Sequence, residues 1–143
     1  MATTFKWASA ESSTTYLTPG PINDGSFAGV GSAITNSTDL YQYINLEVTL
    51  GSLSPAAGAY VDIWCIVSLD GTTFANTSKP LQTSALLATF QCDTAASTTQ
   101  RMVIRNVTIP PLDFKLDLRN KTGVQFAPSG NALNYRRHNE QAV

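Results

Sequence analysis

Residues 112–119 read Leu-Asp-Phe-Lys-Leu-Asp-Leu-Arg, apolar at every second position without a break. A chain can hide such a row only as a strand with one face on a core. The same period recurs upstream. Leu40, Ile44, Leu46, Val48 and Leu50 are expected on one face of an extended segment, with Asn45, Glu47 and Thr49 on the other. In residues 59–69, Val61, Ile63, Cys65, Val67 and Leu69 oppose Tyr60, Asp62, Trp64, Ile66 and Ser68. Bulk on both sides predicts a central strand, with Trp64 in the core. Further strands are expected at 86–92, 100–109, 124–126 and 131–137. Asp70-Gly71 is a hairpin-grade turn, and Pro110-Pro111 breaks ladder donation at a corner. No window sustains a period of 3.6, and strands recur at the spacing of sandwiches and jelly rolls. The expected fold is all-β: an antiparallel β-sandwich, jelly-roll-like, with an extended N-terminal segment.

The 143 residues are enough for one domain with one core. The boundaries are an extended arm or loop segment at 1–38 and the sandwich at 39–143. Turn signals fill the first part, in Thr18-Pro19-Gly20-Pro21 and Asn23-Asp24-Gly25. That segment reads either as an arm reaching a neighbour or as an ordered connection across its own domain. The candidate contact residues are Phe5, Trp7, Tyr16 and Leu17 within it, joined by Tyr41 and Tyr43 opposite the Leu46 face. Tyr16 and Leu17 fit packing on their own core equally well.

Charged residues make up 13%, about half the usual quarter. Thirty-one Ser and Thr supply neutral polarity that suits a pleated surface. A net charge of −1 without a basic stripe argues against nucleic acid, and no apolar run is long enough for a membrane span. The N-terminus does not read as an export signal, which favours buried thiols at Cys65 and Cys92 over a disulfide. The sole histidine, His138, reads as a surface residue, and the acidic residues offer no defined pair. Asp113, Lys115, Asp117 and Arg119 read as a solvated ladder of opposite charges. One carboxylate at Asp70 does not make a calcium loop, and residues 25–31 lack the Gly-Lys-Ser/Thr ending of a phosphate loop. No catalytic residue, metal or cofactor is therefore expected. Asn-x-Ser/Thr triplets at Asn36, Asn76, Asn106 and Asn120 are ordinary in a chain this rich in Ser and Thr.

The run Tyr60-Val61-Asp62-Ile63-Trp64-Cys65-Ile66-Val67-Ser68-Leu69-Asp70-Gly71-Thr72-Thr73-Phe74 resembles small virion proteins of tailed bacteriophages. So do Pro110-Pro111-Leu112-Asp113-Phe114-Lys115, Asn120-Lys121-Thr122-Gly123-Val124 and Asn134-Tyr135-Arg136-Arg137-His138-Asn139-Glu140, so that the resemblance spans residues 40–143. It implies a capsid decoration (cement) protein, non-enzymatic, homotrimeric and bound to the major capsid protein on the virion surface after synthesis in the host cytoplasm. The competing expectation is a carbohydrate-binding sandwich module of a phage tail or fibre, using exposed tyrosines with neighbouring Asn and Asp.

Overall fold

The computed structural model describes residues 5–7, 12–74, 85–94 and 97–142. Among these residues nine strands follow in order: β1 (Phe5–Trp7), β2 (Thr14–Leu17), β3 (Tyr43–Leu53), β4 (Tyr60–Ser68), β5 (Ala85–Gln91), β6 (Thr98–Thr108), β7 (Asp113–Lys121), β8 (Ala132–His138) and β9 (Glu140–Ala142). All pairings are antiparallel and they nest. β1 pairs with β9, β2 with β8, β3 with β6 and β4 with β5. Between the second and third of these nested pairs, residues 27 and 34 bridge β7 at Arg119 and Phe114. The chain is thus one long hairpin, closed at the turn after β4. Additional pairings of β3 with β8 and of β4 with β7 roll it into two sheets, ordered β2-β8-β3-β6 and β5-β4-β7. This is the jelly-roll form of the β-sandwich.

The core follows from the alternation. Ile44, Leu46, Val48 and Leu50 of β3 meet Val61 and Ile63 of β4 and Phe114, Leu116 and Leu118 of β7, all at most 1% exposed. β4 is the middle strand of its sheet, as its two bulky faces require. Cys65 and Cys92 are buried free thiols, and burial pushes Cys65 up to about 12. After β4, Asp70 accepts from the Thr72 and Thr73 N–H groups and from Ser68 Oγ, and Phe74 bridges back to Ser68.

Four expectations need correction. Leu40 is 53% exposed in a left-handed conformation (φ 51°), because Asn36 closes a turn just before β3. The Leu40 and Tyr41 N–H groups donate to Asn36 O and Oδ1. Residues 124–126 are not a strand: the Val124 carbonyl accepts from Asn120 Nδ2 and Thr122 Oγ1, leaving no ladder to join. Trp64 lies on the outward face of β4, half-buried and outside the core cluster. The charged row of β7 is partly covered by other elements rather than forming a solvated ladder, and only Asp117 in it is buried. Asp113 Oδ1 accepts from the N–H groups of Asn36 and Ser37, Lys115 sits 4.4 Å from the Phe74 ring centre, and Arg119 sits 5.5 Å from that of Phe27.

Asp117, in the same row, is 1% exposed. Burial pushes its carboxyl up to about 6, while the Gly29 and Leu118 N–H groups pull the other way. A carboxyl raised above its ordinary 3.8 favours the fold while protonated. That contribution is complete below 3.8 and is lost as pH rises through about 6. Asp117→Asn is therefore expected to raise the thermal midpoint relative to the parent at about pH 8, with the difference vanishing at about pH 4. Calorimetry across that range measures it; a difference independent of pH would mean that the buried charge is not the cause.

One flank of the sandwich is stitched shut. Ala28 N and Ile34 N donate to Leu118 O and Phe114 O at the free edge of β7, and the chain departs from that edge between these points. There the Leu116 N–H donates instead to the Tyr16 hydroxyl, 2.9 Å away. Burial pushes that hydroxyl up to about 12, so it stays protonated. Residues 35–41 are fastened to β8 by Arg137, which donates to Thr35 O and Asp39 Oδ2 and stacks 4.7 Å over the Tyr41 ring.

Candidate interaction surface

The opposite flank ends on β6. Among the described residues β6 pairs only with β3, and no strand is hydrogen-bonded to its other edge, although β5 of the facing sheet comes near it. Strand alternation turns Gln100, Met102 and Ile104 inward and leaves Arg101, Val103 and Arg105 exposed, Val103 at 57%. Beyond Ile104 the register slips. Asn106 takes a left-handed conformation (φ 58°) and its N–H donates to Asn45 Oδ1, so that Val107 rather than Asn106 faces Ile44.

The outward face of the four-stranded sheet continues from this edge. Glu47 on β3 accepts from Arg101 Nε at 2.8 Å and from Asn134 Nδ2 on β8 at 3.1 Å. The hydrogen bond from Arg101, then that from Asn134, hold its carboxyl below the usual range. Asn134 Oδ1 is buried without a hydrogen-bond partner among the described residues. It borders a shallow hollow of about 100 Å³ lined also by Ser13, Asn45, Glu47, Val103 and Arg136. At the start of β3, Tyr43 stacks on its register partner His138, ring centres 5.5 Å apart. His138 is 4% exposed rather than a surface residue, because the β3–β8 pairing carries it under that ring. Burial, and then the Arg136 charge, lower its pKa.

The six contact candidates are not brought together. Tyr43 lies on the outward face of the four-stranded sheet. Tyr41, Tyr16 and Leu17 pack against the core cluster, with Tyr16 edge-on to Tyr135. Phe5 and Trp7 have backbone positions in β1, and their side chains lie outside the described residues. The row Arg101, Val103, Arg105 was not anticipated. Its alternation is legible in the sequence, but the exposure of that edge depends on sheet order. Asn36 and Asn120, each heading an Asn-x-Ser/Thr triplet, are fully buried with their amides bonded inside the fold. Asn76 lies outside the described residues. Among the described residues, no three His, Cys, Asp or Glu side chains converge as a metal site would require.

No protein-family model matches the chain, and no curated protein does. Among solved structures it is similar to a chain of infectious bursal disease virus Gt strain, at 13% identity and TM-score 0.41, covering 96% of this chain and 32% of that one. It is similar also to a chain of desmodium yellow mottle tymovirus, at 10% identity and TM-score 0.38, covering 99% and 89%. A chain of the Gx strain of infectious bursal disease virus gives 12% and 0.28, covering 99% and 31%. The chain thus spans about a third of the length of the two bursal disease virus chains. With these three TM-scores below 0.5, the jelly-roll assignment rests on the nested strand pairing.

Proposed function

We propose that this chain is a non-enzymatic virion structural protein that binds the outer surface of a phage capsid and stabilises contacts between major capsid subunits, as a trimer. The observation that carries this reading is the asymmetry of the sandwich. One flank is sealed by residues 16–34, and the other presents, among the described residues, an unpaired strand edge continuous with an outward sheet face. A molecule built to hold others together needs such a face, because cementing works by adding buried interface between subunits. About 800 Å² per partner makes a standard interface, roughly a tenth of the 7555 Å² accessible here. The resemblance of residues 40–143 to phage virion proteins supports the same reading. Jelly rolls serve lectins as well as capsids, so the test must separate the two.

The purified chain is to be mixed with capsids lacking it, and separately with a panel of polysaccharides, and sedimented. Stoichiometric retention on capsids, with a rise in the temperature at which they open, is the expected result. Retention on a polysaccharide but not on capsids would replace this reading with a carbohydrate-binding one, and retention on neither would overturn both.

A further inference from the structure

We infer that β6 receives an extended, acidic segment of a protein partner, which joins the four-stranded sheet as a fifth strand. The inference deepens the reading of the chain as a protein-binding component and names the chemistry of what it binds.

An open strand edge is a template for another strand, and proteins that keep such an edge unused shorten it, cover it or bend it away. β6 has eleven residues, and together with β3 it is the longest strand described. The register against β3 slips at both ends, at Asn106 and again between Gln100 and Thr98, which leaves residues 100–104 regular. The opposite flank has been covered, by residues 25–34 and the Tyr16 hydroxyl. Among the described residues no strand pairs with the outer edge of β6 between its two bulges, and the charges it exposes there are cationic, which discourages a like strand but not an acidic one.

The outward row of this edge sets the partner's charge. Arg101 and Arg105 stand two positions either side of the exposed Val103. Arg101 is partly neutralised by Glu47, but its side chain remains 71% exposed, and Arg105 makes no ion pair among the described residues. Across the sheet, Asn45 pairs with Arg136, so the rows meeting at Asn45 carry cations on both flanking strands. A second copy of β6 is a poor occupant. Antiparallel pairing about a two-fold axis at Val103 would set each Arg101 against the other copy's Arg105, and like charges directly opposite are destabilising. A segment with carboxylates two positions either side of an apolar residue meets all three side chains within cross-strand reach.

The probe is a short fluorescein-labelled peptide in which Glu, Val and Glu alternate with Thr, with a control carrying Lys for Glu. Fluorescence anisotropy against the full chain is expected to show saturable binding of the Glu peptide only, weakening as salt rises. Arg105→Glu and Val103→Glu each alter a solvent-exposed side chain and should leave the thermal midpoint in place, while weakening binding of the Glu peptide roughly tenfold or more by placing a carboxylate against its carboxylates. Equal binding of the Lys peptide, no binding of the Glu peptide, or variants that bind like the parent would overturn the inference. The same variants on capsids separate the two readings. If the parent is retained and Val103→Glu is retained equally, the fifth-strand inference fails and the capsid role stands. If the parent is not retained, the capsid role fails whatever the peptide does.

Discussion

Asn120→Ala is expected to destabilise the protein by about 3 kcal/mol, and Asn120→Asp by more at neutral pH. Asn120 is fully buried at the end of β7, and its amide does four things at once. Nδ2 donates to the carbonyls of Ile22 and Val124, both at 2.8 Å, and Oδ1 accepts from Thr122 N–H at 2.9 Å and Thr122 Oγ1 at 2.7 Å. Alanine removes all four. The Ile22 carbonyl keeps its bond from Phe126 N–H, and the Thr122 hydroxyl, released from Oδ1, can give its one proton to the Val124 carbonyl, which limits the loss. The Thr122 N–H is stranded, and an unsatisfied buried group costs about 1–3 kcal/mol. Aspartate keeps the shape and the acceptor but points a charge at two carbonyl oxygens. Its penalty should shrink on acidification, because the protonated form donates again to one of them. Urea unfolding with an unchanged slope measures both variants. A loss below about 1 kcal/mol for Asn120→Asp at neutral pH would show that this corner is not the buried clasp described.

The second large effect is steric. A Cβ placed on Gly51 would lie 2.3 Å from the Ser129 carbonyl oxygen and 2.8 Å from Ala127 Cβ. The oxygen belongs to backbone and cannot swing aside. Gly51 N–H also donates to Asn131 Oδ1, whose Nδ2 holds the carbonyls of Pro19 and Ala127. Gly51→Ala must push residues 127–131 off β3 and strain that junction, at about 3 kcal/mol, the upper part of the range for overpacking. For a domain of this size the thermal midpoint should fall by roughly 10 °C. A fall of only a degree or two would mean that the loop yields freely and that the close approach is not built in.

Much of the architecture was legible. The unbroken alternation of residues 112–119 placed Phe114, Leu116 and Leu118 in the core, and the doubly bulky segment 59–69 became the middle strand β4. Asp70-Gly71 marked its turn because an aspartate capping the following N–H groups needs nothing beyond its own neighbours. Three of the misreadings share one cause. Leu40, Trp64 and the Asp113–Arg119 row were assigned by their place in an alternating pattern, which tells the two faces of a strand apart but not what lies over each face; His138 was read from its place near the end of the sequence, which says nothing of its cover either. Asn36 pulls the chain into a turn at Leu40, Tyr43 covers His138, and residues 25–37 cover part of the β7 row.

By itself, then, the sequence determined that the chain is built of antiparallel strands, where most of them run and which side chains form the core. Those properties follow from period and turn chemistry within a few residues. Tertiary structure decided how the strands nest, that Tyr16 closes one flank, that Asp117 is buried, and that among the described residues no strand pairs with the outer edge of β6. Each of these depends on groups distant in the chain, such as Leu116 and Tyr16, whose meeting is set by sheet order and register rather than by any local preference.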